Sequence, residues 1–192
     1  MDRKTVYFVL LDDFADWEAA FLAPALRTGV MPGREGRYEV KYATPGGRTV
    51  HSLGGLTVTP DCDTATLVLV GGMSWRKPEA EPVAGTVREA LSRGLTVGAI
   101  CNAVSFLAAH GLLNDRRHTG NTLAMLREWG GEHYTGEALY EERQAVRDGL
   151  LVTANGTGYL EFTRECLAAL EADTPEAIAA SYAFNKEGLC KA

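Results

Sequence analysis

The chain has 192 residues, 46% hydrophobic and 23% charged, the composition of one globular domain with a well-formed core. A formal net charge of -6, a pI near 5.3 and the lack of any dense Lys/Arg patch exclude nucleic acid as the main partner. The N-terminal apolar run Val6–Leu11 is far too short to cross a membrane and lacks the features of a signal peptide, so a soluble cytoplasmic protein is expected.

In chain order, Thr5–Leu11 is continuous, β-branched and aromatic, and predicts a buried strand. Asp16–Gly29 follows with helical spacing and a glycine stop. Arg37–Thr44 alternates like a strand, and Gly55–Asp61 predicts a short one. Thr66–Gly72 is the second fully apolar strand, and Glu81–Gly94 is an amphipathic helix closed by glycine. Leu95–Ile100 is the third buried strand and runs straight into a helix over Asn102–His110. Another helix covers Thr122–Gly131. Gln144–Asn155 predicts two short strands around an Asp-Gly turn. Tyr159–Asp173 and Pro175–Gly188 are the last helices. Strands that are apolar throughout, alternating with helices, predict a mostly parallel sheet covered on both faces. No linker, repeat or low-complexity tract divides the chain, so one α/β domain is expected over residues 1–192.

Ligands of open parallel sheets collect at the carboxyl ends of the strands, so the residues just after each apolar strand are the candidates. They are the acids Asp12, Asp13, Asp16 and Glu18; then Gly71 and Gly72; then Cys101 and Asn102; then Gly156 and Thr157. Cys101 sits where a strand turns into a helix. A free cysteine there is either a small buried hydrophobe or a nucleophile on a tight turn, where the helix N-terminus favours a thiolate and the next amide faces a developing oxyanion. Gly71–Gly72 is either a loop needing unusual backbone angles or a bare backbone open to a substrate oxygen. A pocket-facing acid would have its pKa raised by burial and stay protonated. The other cysteines, Cys62, Cys166 and Cys190, form no CxxC pair and no zinc spacing with histidine, so free thiols and no metal are expected. Among the histidines, His51 reads as a loop residue between glycines, His110 as a helix end, and His118 as the one within reach of the site.

Four stretches, "VYFVLLDDFADWE", "DTATLVLVGG", "GAICNAVSFLAAHGLLNDRRHTGN" and "ANGTGYLEFTRECLAAL", resemble the ThiJ/PfpI superfamily in order and spacing, from about Thr5 to Leu170. That resemblance implies a flavodoxin-like three-layer sandwich, a homodimer, a small-molecule substrate and no cofactor. By position it makes Cys101 the nucleophile and Glu18 the acid bonded to the thiol. Gly72 and Asn102 would then supply oxyanion amides, and Gly156–Gly158 the late loop near the pocket. The departures bear on chemistry. Peptidase-like members resemble "CHG" at the elbow, where this chain has Asn102. Deglycase-like members carry His where Asn121 stands, and amidotransferases use a late His-x-Glu that "ANGTGYLE" lacks.

Asparagine cannot accept a thiol proton, although Asn102 and Asn121 can orient a substrate or donate to an oxyanion, and peptide hydrolysis needs a proton delivered to a poor leaving group. Peptidase and amidotransferase activity are therefore disfavoured. What remains is a thiolate adding to a small electrophile while Glu18 moves the proton. Addition to a 2-oxoaldehyde with rearrangement to a hydroxy acid fits, as does isocyanide hydration, although members with that activity resemble an Asp at position 18. Two other readings stand beside it. In one, Cys101 is an oxidisable redox or stress sensor. In the other, the chain is an interaction scaffold whose pocket is closed by Trp75 or Tyr159.

Overall fold

The computed structural model describes residues 3–61 and 68–188. Cys62, Cys190 and the start of the predicted strand at Thr66 lie outside the described residues.

The first strand, β1 (Lys4–Val9), pairs in parallel with β2 (Tyr38–Ala43) from Lys4↔Tyr38 to Val9↔Ala43. A small antiparallel pair follows, β3 (Val50–His51) with β4 (Thr57–Val58). β5 (Val68–Leu69), β6 (Val97–Ile100), β7 (Ala145–Asp148) and β8 (Leu151–Ala154) complete a six-stranded sheet of order β2-β1-β5-β6-β8-β7. All neighbours are parallel except β7, which returns against β8 through the predicted Asp148-Gly149 turn, with Gly149 at φ +58°. The Gly55–Asp61 segment therefore belongs to a separate two-stranded ribbon, and His51 is a strand residue of that ribbon, not a loop residue.

The predicted Asp16–Gly29 helix is two helices, α1 (Asp16–Ala19) and α2 (Leu22–Thr28). Pro24 is the reason: it has no N–H and its ring collides with the carbonyl four residues back, so a helix begun at Asp16 cannot run through it. Restarting at Leu22 puts the proline in a first turn, where no intrahelical N–H is needed. The remaining helices are α3 (Glu81–Ser92), α4 (Asn102–Ala109), α5 (Leu123–Gly130), α6 (Tyr159–Ala169) and α7 (Pro175–Glu187).

The sheet separates two apolar clusters, which gives the expected three layers. One joins Phe8, Leu22, Leu26, Phe162, Leu167 and Ile178 beneath α2, α6 and α7. The other joins Leu69, Trp75, Val87, Phe106, Leu107 and Leu126 beneath α3, α4 and α5. Each large side chain removed from water here is worth about 1.5–3 kcal/mol. Gly98 lets α6 approach β6 closely: a Cβ there would stand 2.9 Å from the Phe162 ring. Trp75 is part of this core, with its indole N–H on the Val70 carbonyl at 2.8 Å, and does not close the mouth of the sheet. From β1 the chain goes out to β2 and returns past β1 to β5. The order thus reverses between β1 and β5, where doubly wound sheets open a crevice at their carboxyl ends.

Candidate active site

Cys101 leaves the end of β6 and is followed at once by the first residue of α4, so one residue must turn the chain. It does so at φ +61° and ψ -128°, a conformation that side-chain-bearing residues rarely adopt and that costs of order 1–3 kcal/mol. Two backbone bonds hold the turn. The Cys101 N–H donates to Ala154 O at 2.9 Å, and its carbonyl accepts from Val104 N at 3.0 Å.

Glu18 reaches this turn from α1. Its side chain is 1% exposed, and Oε2 accepts the Gly71 N–H at 2.8 Å. Among the described residues Oε1 meets no hydrogen-bond donor, and it lies on the thiol side. A Cβ on Gly156 would stand 3.2 Å from Oε1 and 3.0 Å from Cys101 Sγ. Burial raises the Glu18 pKa to about 7, opposed more weakly by the thiol and by the Gly71 amide. The thiol does not have the depressed pKa expected of a helix N-terminus. Burial first, then the charge of Glu18, pushes it up to about 11 against the opposing pull of Asn121 and the Asn102 N–H.

Asn121 is the other group on the sulfur. Its Nδ2 donates to Cys101 Sγ at 3.3 Å and to Asn102 Oδ1 at 3.2 Å, and its Oδ1 accepts the Gly156 N–H at 2.9 Å. Every polar atom of this amide is used. The Asn102 side chain is used too, donating to Gly72 O at 2.9 Å with the Met73 sulfur at 3.8 Å, so it ties the glycine loop down and does not face a substrate.

The glycine pair divides its work. The Gly71 N–H is spent on Glu18, and a Cβ there would come within 2.3 Å of Glu18 Oε2 and 2.6 Å of Cys101 Cβ. Gly71 is thus a close-packed prop rather than an oxyanion donor. Gly72 bridges Phe14 through the bonds Ala15 N→Gly71 O and Met73 N→Asp13 O, which leaves its own N–H outside the ladder. Thr157 turns away: its hydroxyl meets Asn155 Oδ1 and Gln144 Oε1 on the exposed side of the loop. The carboxylates Asp12, Asp13 and Asp16 serve the framework around β3. Asp12 accepts the His51 N–H, Asp13 faces Lys77, and Asp16 accepts the Ser52 hydroxyl and the Gly54 N–H.

His118 does not reach the thiol. It is fully buried, with Nδ1 at 2.7 Å from Arg116 O and Nε2 at 2.7 Å from the Tyr134 hydroxyl, and burial lowers its pKa. It is a neutral core histidine. Trp17 is a site residue that sequence reasoning missed: its indole N–H donates to Gly156 O at 3.2 Å and holds the late loop over the sulfur. The signal was adjacency, a tryptophan directly before the one acid that turns inward. Beside Asn121 opens a cavity of about 640 Å³, lined in part by Tyr140, Arg143, Gln144 and Asn155.

A cysteine on a strained strand-to-helix turn at the crevice of a doubly wound sheet, with a buried carboxyl against it, defines an α/β protein of the nucleophile-elbow class. The chain belongs to the DJ-1/PfpI family, whose sequence profile matches residues 4–169. It is 36% identical over 192 residues to a Bacillus subtilis protein named "Uncharacterized protease YdeA", covering 96% of this chain and 92% of that one. Among solved structures it is similar to the DJ-1 superfamily protein Atu0886 from Agrobacterium tumefaciens, with 40% identity and TM-score 0.83 over 96% of this chain and 98% of that one. A ThiJ/PfpI family protein from Bacillus anthracis gives 31% identity and TM-score 0.88, covering 97% and 92%. In the described residues no helix is long and apolar enough to cross a membrane.

Proposed function

We propose that the protein is a cysteine-dependent, cofactor-independent enzyme acting on a small electrophilic carbonyl compound, with Cys101 as nucleophile and Glu18 as its proton acceptor and donor. The observation that carries this reading is the buried Glu18 carboxyl, fixed by the Gly71 N–H and set against a thiol on a strained turn. A thiol pushed up to about 11 is almost wholly protonated at neutral pH, so a stored thiolate is not the attacking species. A carboxyl with a pKa of about 7 is close to half ionised there and is matched to the task of a general base.

As Sγ bonds to the aldehyde carbon of a 2-oxoaldehyde, the thiol proton passes to Glu18 and the carbonyl π pair moves to oxygen. In this reading the Asn102 N–H beside the sulfur, joined by the Gly72 N–H, steadies that oxygen, and Glu18 then protonates it to give a hemithioacetal. Moving the former aldehyde hydrogen to the adjacent carbon as a proton, and the hydroxyl proton to the adjacent oxygen, yields a 2-hydroxy thioester. Water then releases it as a hydroxy acid and regenerates the thiol, so no external oxidant or reductant is consumed.

The name of the Bacillus subtilis relative points instead to peptide hydrolysis. Against that, Asn121 and Asn102 occupy the neighbourhood of the sulfur and His118 is bonded elsewhere, so no described histidine stands ready to protonate an amine. A sensor role is supported less, because facile oxidation needs thiolate character. The tip of the β3–β4 ribbon lies against Phe14 and Asp16 and carries exposed Leu53 and Leu56 next to α1 with exposed Trp17. This apolar face supports assembly as a homodimer.

Turnover of methylglyoxal by the wild-type chain, with complete loss in Cys101→Ala, is the expected result. The measurement is lactate formation by coupled assay. Undiminished turnover in Cys101→Ala would remove Cys101 from the chemistry.

A further inference from the structure

A second cavity opens at the carboxyl ends of β1, β2 and β5. It encloses about 70 Å³ and is lined in part by Asp12, Thr44, Arg48, Ser74, Lys77 and Glu79. A water molecule's share of liquid volume is about 30 Å³, so the space takes a few waters or one small polyatomic group.

Its least expected member is Ser74. The residue is 4% exposed, and its Oγ has no hydrogen-bond partner among the described residues. A buried hydroxyl left unpaired costs about 1–3 kcal/mol, and native proteins rarely leave one so without a ligand or water to satisfy it. The cavity also lies at the reversal of strand order between β1 and β5, the position where doubly wound sheets take ligands.

The charges at its edge select the ligand. The Arg48 guanidinium has no acceptor among the described residues, and Lys77 is held only loosely, 3.7 Å from the half-exposed Asp13. Of the two lining carboxylates, Asp12 already accepts the His51 N–H at 2.9 Å on Oδ1, with the His51 ring 3.6 Å away. Glu79 is exposed and free to turn into solvent. The unpaired donors are therefore the Arg48 guanidinium and the Ser74 hydroxyl, with the Lys77 ammonium beside them already facing Asp13 at 3.7 Å. Arginine and lysine in that arrangement meet the oxygens of a phosphate or a carboxylate.

We propose that this cavity is a binding site for a small oxyanion, a phosphate or carboxylate group, separate from the Cys101 centre and independent of any chemistry there. The test is a titration of the full-length, ¹⁵N-labelled protein with inorganic phosphate, and separately with acetate, at constant ionic strength set by chloride. Amide shifts at Thr44, Arg48, Ser74 and Lys77 should saturate. Arg48→Ala should weaken the binding by about tenfold, the loss expected for one charge-assisted hydrogen bond, and Ser74→Ala should weaken it several-fold. Saturation by phosphate alone assigns a phosphate group, and equal saturation by acetate assigns a carboxylate. Linear, unsaturable shifts, the same response to chloride, or binding unchanged in Arg48→Ala would each overturn the proposal. Should Ser74→Ala fail to fold, Arg48→Ala decides the matter, because its side chain is exposed.

Discussion

At the scale of single residues, Glu18 governs both reactivity and stability. Its folded-state pKa of about 7 lies above the ordinary 4.5, so the folded protein holds this proton more tightly than the unfolded chain does. The stability this supplies is complete below about pH 4.5 and is lost as pH rises through about 7, a difference of roughly 3 kcal/mol. Glu18→Gln should therefore flatten urea-unfolding stability between those pH values and leave the variant more stable than wild type at pH 8. The same substitution should abolish the rise in Cys101 alkylation rate centred near pH 7 and leave only the thiol's own titration at much higher pH. A wild-type alkylation profile with no inflection near 7 would refute the role of Glu18 as base. The acid could be singled out in sequence as one of four after the first strand. What could not be read was its partner: the Gly71 amide lies 53 residues away, a contact that no local pattern encodes.

At the scale of elements, two glycines near the thiol make opposite demands. Gly71 is wedged between Glu18 and the Cys101 Cβ, so Gly71→Ala overpacks a site that cannot yield and should cost about 1–3 kcal/mol of stability. Gly156 is tighter against the sulfur than against any backbone, with a Cβ 3.0 Å from Sγ. Gly156→Ala should keep a near-native melting temperature while slowing alkylation of Cys101. Calorimetry and thiol labelling of the two variants separate the roles, and identical behaviour would contradict them. The local elements were legible where the signal is local: the apolar run ending at Ile100 and the Asp148-Gly149 turn each specify their own backbone. The break between α1 and α2 was carried by Pro24, a mark present in the sequence but outweighed by helical spacing over Asp16–Gly29. Asn102 and Asn121 were expected to serve an oxyanion or a substrate; their side-chain amides are instead bonded to Gly72 O, the Cys101 sulfur, the Gly156 N–H and each other. The use of the Asn102 amide depends on a Gly72 carbonyl 30 residues upstream, and so escaped sequence reading.

At the scale of the whole molecule, alternation of strand and helix was enough to read the layered sheet, because each buried strand declares itself by composition. The separation of the β3–β4 ribbon from that sheet was not readable, since two-residue strands carry too little pattern. That ribbon is also where the assembly proposal can be tested. Leu53→Glu with Leu56→Glu places two charges on the exposed tip and should convert a dimer into a monomer in analytical ultracentrifugation, without altering the helical circular dichroism. A wild-type protein that sediments as a monomer at micromolar concentration would remove the proposal.

The indole of Trp17 has a practical consequence. The chain holds three tryptophans. Trp75 is buried in the core, and Trp129 lies under the Arg76 guanidinium at 4.7 Å. Trp17 alone is bonded to the loop that covers the sulfur. Any adduct on Cys101 large enough to lift Gly156 must also break that indole hydrogen bond. The emission of one fluorophore then reports occupancy of the thiol in real time, so the molecule comes with its own optical gauge and needs no label.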